Sequence, residues 1–230
     1  MIICVNPWIN IDNSIMSLNF IGELLQGLVV SVWIFLLTLL LSLPLGLLVA
    51  LGRMSKIWIF RQITTIYISI MRGTPLMLQI MVVYFGPYYL FRIPLFPWYR
   101  FVAVILAFGI NYAAYFAEIY RGGIEAIPKG QYEAAHVLGY GKAQTFFKII
   151  MPQVVKHILP AVTNEVITLV KDTSLSQTIS VLEMFTIARQ MSSSMTSMVP
   201  LIVAGVFYYV FNFIVAFVME RFEKALSYYN

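Results

Sequence analysis

The run Leu24–Gly52, LLQGLVVSVWIFLLTLLLSLPLGLLVALG, contains no ionisable side chain. A helix crosses the hydrocarbon core of a bilayer with roughly 20 apolar residues. This run is longer, which leaves a surplus for tilt or for extension into either interface. The whole chain shares its character: 60% of the 230 residues are hydrophobic and 11% are charged, where soluble domains carry roughly a quarter. Lipid is the solvent here. The formal net charge of +5 is not a nucleic-acid footprint, because the basic residues are dispersed into loops; it describes membrane topology. The lone Cys4 excludes an intrachain disulfide and a cysteine-based zinc cluster. His136 and His157 are too few and too separated for a metal site, and no metal is expected.

Working outward from that run, five spans are the economical reading: about Phe20–Leu51, Gln62–Tyr84, Phe101–Tyr120, Ile149–Lys171 and Val199–Met219. The expected fold is an all-α integral membrane protein of about five transmembrane helices, a single domain over residues 1–230 with its core at 20–222. The fourth span is the least hydrophobic, holding Lys156, His157 and Glu165, and a re-entrant segment there would change the count. Gly86–Trp98, rich in proline and aromatic residues, is expected as an outside connection, and Arg221–Asn230 as a short tail. The first Lys or Arg is Arg53, beyond the first apolar run, whereas a secretory signal starts with a basic region. No cleavable signal is therefore expected, and the N-terminus is placed outside. Cytoplasmic segments then hold Arg53, Lys56, Arg61, Arg121, Lys129, Lys142, Lys148, Lys156, Arg221 and Lys224. Outside segments hold only Arg92, Arg100, Lys171 and Arg189. That asymmetry obeys the positive-inside rule and puts the C-terminus in the cytoplasm.

Ionisable groups at membrane depth are costly, so they face a bundle interior or a watery cavity and often mark a transport path. Arg72-Gly73-Thr74-Pro75 interrupts the second span: Pro75 removes a backbone donor and Gly73 permits an unusual dihedral. A break there exposes backbone groups beside a fixed cation. Lys171-Asp172-Thr173-Ser174 packs opposite charges beside two hydroxyls at the end of the fourth span. Asn111, Tyr115 and Glu118 share one helical face of the third. These groups suit a zwitterion. Arg72 and the freed N–H groups would hold an α-carboxylate, as half-helix ends do in transporters. Asp172 would hold the α-ammonium, with Ser174, Thr173 or Asn111 supplying hydrogen bonds. A second reading stays open: Arg72 ties helices together through Glu118, and Lys171-Asp172 is an interfacial pair.

One polar interval stands apart, the loop at about 121–152. Within it, Gln131–Pro152 reads QYEAAHVLGYGKAQTFFKIIMP. Two small residues beside an acid, a glycine hinge and a helix restart make a compact helical knob that can seat in a groove on a partner. Gly139-Tyr140-Gly141-Lys142-Ala143 looks superficially like a phosphate loop, but its spacing fails, since His136 and Ala143 stand where Gly and Ser or Thr are needed.

Glu133-Ala134-Ala135, Gly139, Ile149 and Pro152 fit the loop signature of permease subunits of bacterial ABC importers; Met151, where that family usually has Leu, is the departure. Three further segments resemble the polar amino-acid uptake branch of that family: MRGTPLMLQIMVVYFG (Met71–Gly86), NYAAYFAEIYRGGIEAIPKGQYEAA (Asn111–Ala135) and LVKDTSLSQTISVLEMF (Leu169–Phe185). The resemblance implies a type I importer permease in a bacterial cell membrane. It implies a second permease subunit, identical or paralogous, two ATP-binding subunits on the cytoplasmic face, and an extracellular or periplasmic binding protein that delivers a polar amino acid. ATP and magnesium would be bound by those partners and not by this chain. Glu133, Ala134, Ala135, Gly139 and Pro152 would couple nucleotide-driven closure to the spans, which move by alternating access. The rival is a stand-alone secondary transporter or channel for small zwitterionic solutes, with Arg72, Glu118, Glu165 and Asp172 as an ion path. A membrane enzyme has no support, lacking a His or Cys cluster and a nucleophile paired with a base. Neither rival explains the Glu133–Pro152 pattern.

Overall fold

The computed structural model describes residues 13–226, so the two ends of the 1–230 domain lie outside the described residues. Their regular structure is entirely helical, with no strand among them. In chain order the helices are α1 (Asn13–Arg53), α2 (Trp58–Gly73), α3 (Leu76–Phe91), α4 (Tyr99–Glu125), α5 (Lys129–Val137), α6 (Lys142–Thr145), α7 (Met151–Asp172), α8 (Met184–Met195) and α9 (Val199–Leu226). A π-helical turn, Phe146–Ile150, leads into α7, and a 3-10 segment, Thr173–Ile179, leaves it.

Helix α4 is the axle. Ala103, Val104, Ala107, Phe108, Tyr112, Ala113, Ala114, Phe116 and Ala117 are all buried on it. Its small residues let α1 approach closely, the usual device where lipid removes any hydrophobic drive between helices. At Gly46 an added Cβ would lie 2.8 Å from the Phe116 Cβ and 3.1 Å from the Ala113 carbonyl oxygen. No larger side chain fits between these backbones. Around this pair, α3, α7 and α9 close a core containing Ile80, Tyr84, Leu169 and Val170, while α8 packs on α1 through Met184, Ala188 and Met191 against Leu24.

Among the described residues, three helices are long and apolar enough to cross a membrane: α1 from Asn19, α4 and α9. The α2–α3 pair adds a fourth if its two halves count as one span, bent by 110°. Helix α7 has 22 residues, about 33 Å at 1.5 Å per residue, long enough to span but less apolar than the others, as its Lys156, His157 and Glu165 led one to expect. Two boundaries are corrected. Residues 221–226, expected in the tail, continue α9. Gly86–Phe91 is not a connection but the end of α3, and the link to α4 is only Arg92–Trp98. Pro87 sits inside the helix, which membrane helices tolerate where neighbours satisfy the freed group. The stop comes at Arg92 in the left-handed region (φ 57°), its N–H donating to the Tyr88 carbonyl while that of Ile93 donates to Pro87.

Candidate functional site

The break between α2 and α3 is made by two residues. Thr74 is extended (φ −120°, ψ 147°), as steric conflict with a following proline requires, and Pro75 (φ −62°, ψ 131°) then caps α3. Gly73 does not supply the unusual dihedral expected of it. It closes α2 with helical geometry, and a Cβ there meets nothing within 4 Å. Gly73→Ala should therefore fold with a melting temperature equal to or slightly above that of the parent, since alanine loses less backbone entropy than glycine by about 0.5–1 kcal/mol; a clear drop would mean that the bend depends on the glycine.

Two side-chain amides, buried Asn111 and half-buried Gln79, replace the helical hydrogen bonds that the break removes. Asn111 Nδ2 donates to the Met71 carbonyl and to Gln79 Oε1, both at 2.9 Å. Gln79 Nε2 donates to the same Met71 carbonyl at 3.0 Å, to the Thr74 carbonyl at 3.2 Å and to Thr74 Oγ1 at 2.8 Å. Asn111 thus positions the elbow, and its N–H groups are engaged there instead of facing a ligand. Gln79 had no sequence signal beyond lying one turn past Pro75.

Beside the elbow is a cavity of about 220 Å³ lined by Thr74, Leu76, Asn111, Tyr112, Tyr115, Glu165, Thr168 and Asp172. Helix α7 contributes Glu165, Thr168 and Asp172, whose spacing of three and then four residues puts them on one face. Tyr112 Oη donates to Asp172 Oδ2 at 2.7 Å. The first N–H groups of α3 have no intrahelical acceptor and end at the same place, at Leu76. Arg72 stands alongside. Its guanidinium lies 5.3 Å from the centre of the Tyr115 ring and 4.0 Å from Glu118 Oε2, and 45% of its side chain is exposed.

Four expected contributors are thus brought to one place: Arg72, Thr74, Asn111 and Asp172. Pro75 shapes the elbow. Three others are not at the cavity wall. Lys171 is exposed and does not line the cavity. Thr173 is buried, with Oγ1 donating to the Val170 carbonyl at 2.8 Å, and Ser174 Oγ donates to the Lys171 carbonyl at 2.8 Å. Both hydroxyls back-bond three residues to tighten the turn, a local competition common for these side chains at helix ends. Tyr112 and Thr168 were not foreseen, although the register of Thr168 with Glu165 and Asp172 could have found it.

The polar loop forms the knob expected of it. Helix α5 carries exposed Glu133 and Ala134 and buries Ala135, leaving Val137 and Leu138 86% and 73% exposed. It ends in a Schellman motif: the Tyr140 N–H donates to the Ala135 carbonyl and the Gly139 N–H to that of His136, each at 3.0 Å. Gly139 takes φ 79°, the left-handed position such a cap reserves for glycine. Pro152, exposed at the start of α7, follows the π-helical turn, which widens the helix where the proline ring would otherwise strike the carbonyl four residues back.

An all-helical membrane bundle with a broken helix, ionisable groups at its elbow and an exposed helical knob defines a transport subunit. Residues 42–228 match the family described as "Binding-protein-dependent transport system inner membrane component", and the chain belongs to that family. It is 38% identical over 207 residues to the arginine transport system permease protein ArtQ of Bacillus subtilis (strain 168), covering 89% of this chain and 92% of that protein. It is 36% identical over 212 residues to the octopine transport system permease protein OccM of Rhizobium radiobacter (88% and 85%). It is also 31% identical over 225 residues to the L-cystine transport system permease protein TcyB of B. subtilis (97% and 92%). Among solved structures, a crystal structure of an amino acid ABC transporter with histidines superposes with a TM-score of 0.83 at 30% identity, over 94% of this chain and 100% of the other. An inward-facing MetNI methionine transporter, at 17% identity and a TM-score of 0.70 over 94% and 100%, shares the fold.

Proposed function

We propose that this chain is the permease subunit of an ATP-driven importer and that its cargo is an amino acid with a cationic side chain. The observation that carries the proposal is the pairing of two carboxylates, Glu165 and Asp172, in one small cavity beside a single guanidinium. A basic amino acid brings two positive groups and one negative group. Arg72, with the first N–H groups of α3, takes the α-carboxylate; Asp172 takes the α-ammonium and Glu165 the side-chain cation. A neutral amino acid leaves one carboxylate without a partner in a partly buried place, which is strongly unfavourable. The relatives named for arginine and octopine transport agree with this cargo.

In this reading the chain pairs with a second permease subunit, identical or paralogous, and receives cargo from an external binding protein. Two ATP-binding subunits, which hold ATP and magnesium, grip the α5 knob from the cytoplasm. Helix α7 crosses as the less apolar span of five, with the N-terminus outside and the C-terminus inside. The convergence of Arg53, Glu118 and Arg121 supports placing the last turn of α1 and the end of α4 on the same side as the knob. Cargo and knob are joined through α7, which begins at the loop and ends at Asp172, so a push on α5 tilts the cavity wall. The test is an ATPase assay on the complex reconstituted with its partners. Arginine, lysine or ornithine should stimulate hydrolysis at concentrations at least about tenfold below those of glutamine or leucine, the factor expected for one satisfied charge pair. Equal potency for neutral and basic amino acids would remove the side-chain assignment.

A further inference from the structure

Glu118 is a carboxylate facing three guanidinium groups from three helices. Arg121 of α4 contacts it at 2.7 Å, Arg53 of α1 lies 3.8 Å away, and Arg72 of α2 lies 4.0 Å away. Arg121 also reaches Glu125, at 2.5 Å, and Arg53 donates to Thr65 Oγ1 at 2.6 Å. The three cations are not equivalent. Arg121 grips Glu118 through both Nε and Nη2. Arg72 makes the longest of the contacts and is the most exposed of the three, at 45% against 28% and 31%. Its guanidinium lies over Tyr115, a wall of the cavity.

We infer that Glu118 is a resident stand-in for the cargo's α-carboxylate: a positioning residue that holds the Arg72 guanidinium when the cavity is empty and competes for it when cargo is bound. This rests on the assignment of Arg72 to the cargo carboxylate. The exchange is balanced in charge. When a carboxylate arrives, Arg72 turns from one anion to another, and Glu118 keeps Arg121 and Arg53, so no buried charge is left bare. When the cavity wall moves, Glu118 reclaims Arg72 and the cargo loses its anchor. An importer needs that second half. A site that bound its cargo without competition would hold it too tightly to release it toward the knob side, where Glu118 lies along α4.

The geometry therefore predicts an unusual sign. In purified complex without binding protein, Glu118→Gln should bind arginine about two- to fivefold more tightly, the gain expected when a partly exposed ion pair ceases to compete. Uptake in proteoliposomes should fall in maximal rate. Three controls separate this from a loss of packing. Argininamide, which lacks the α-carboxylate, should bind the variant and the parent equally. The tightening should vanish when Glu118→Gln is combined with Arg72→Ala, as a double-mutant cycle requires of a contact that acts through Arg72. Glu118→Asp, which keeps the charge on Arg121 but withdraws it by one methylene, should give a smaller tightening. Weaker or unchanged arginine binding in both Glu118 variants, equal gain for argininamide, or failure of both variants to assemble would overturn the inference. If the parent complex itself shows no saturable arginine binding, or if Arg72→Ala binds arginine as the parent does, the underlying cargo assignment falls instead.

Discussion

Asp172→Asn should raise the arginine concentration for half-maximal ATPase stimulation about 10- to 100-fold, the largest effect expected of any cavity substitution. A hydrogen bond to a charged group contributes about 1.5–3 kcal/mol, and each 1.4 kcal/mol is a factor of ten. Asparagine removes the charge while keeping a carbonyl oxygen that accepts from Tyr112 Oη, now 2.7 Å from Asp172 Oδ2, so α4 and α7 stay pinned. The ligand that tests the assignment is 5-guanidinopentanoate, arginine without its α-ammonium. Its potency should barely change, because the group assigned to Asp172 is missing. Glu165→Gln should do the opposite, narrowing the gap between arginine and glutamine. If Asp172→Asn harms arginine and the deaminated analogue alike, Asp172 acts on the helix packing and not on the cargo.

The second large effect is expected far from the cavity. Glu133→Lys should lower coupled uptake by more than about tenfold while membrane insertion and arginine binding to the isolated complex stay normal. Glu133 is exposed on α5, and surface substitutions usually change stability by no more than about 0.5 kcal/mol; the loss must then arise where the knob meets its partner. Truncating one partner of a buried interfacial charge pair costs about 2–5 kcal/mol, and reversal adds repulsion. Gly139→Asp attacks the same knob from within. At φ 79° a non-glycine residue costs about 1–2 kcal/mol, and the Schellman hydrogen bonds that end α5 would loosen. Co-purification of the ATP-binding subunits is the direct measurement. Undiminished uptake by Glu133→Lys would detach the loop from energy coupling.

Both predictions use residues that were visible in the sequence, but for different reasons. The knob is legible because it is local. Two small residues beside an acid, a glycine hinge and a helix restart all fall within one short stretch, Gln131–Pro152. The break at Thr74-Pro75 is legible for the same reason, since one proline constrains itself and its predecessor. Gly73 was misjudged because a glycine beside a proline permits a special dihedral without requiring one. Lys171, Thr173 and Ser174 lie off the wall that Asp172 lines because adjacent residues at a helix end point in different directions, and a motif read as a string does not say which of its members faces the cavity.

Composition and local stereochemistry determined, by themselves, that this chain lives in lipid as helices, where one of them must break, and where a helical knob must project. These depend on each residue and its near neighbours. The tertiary structure alone decided which polar groups meet. Asn111 and Gln79 close the elbow, Tyr112 reaches Asp172 across 60 residues of chain, and Glu118 gathers arginines from three helices. Such meetings depend on how α1, α2, α4 and α7 pack. That packing is set by close backbone approaches such as Gly46 on Ala113, which leave no periodic trace in the order of the residues.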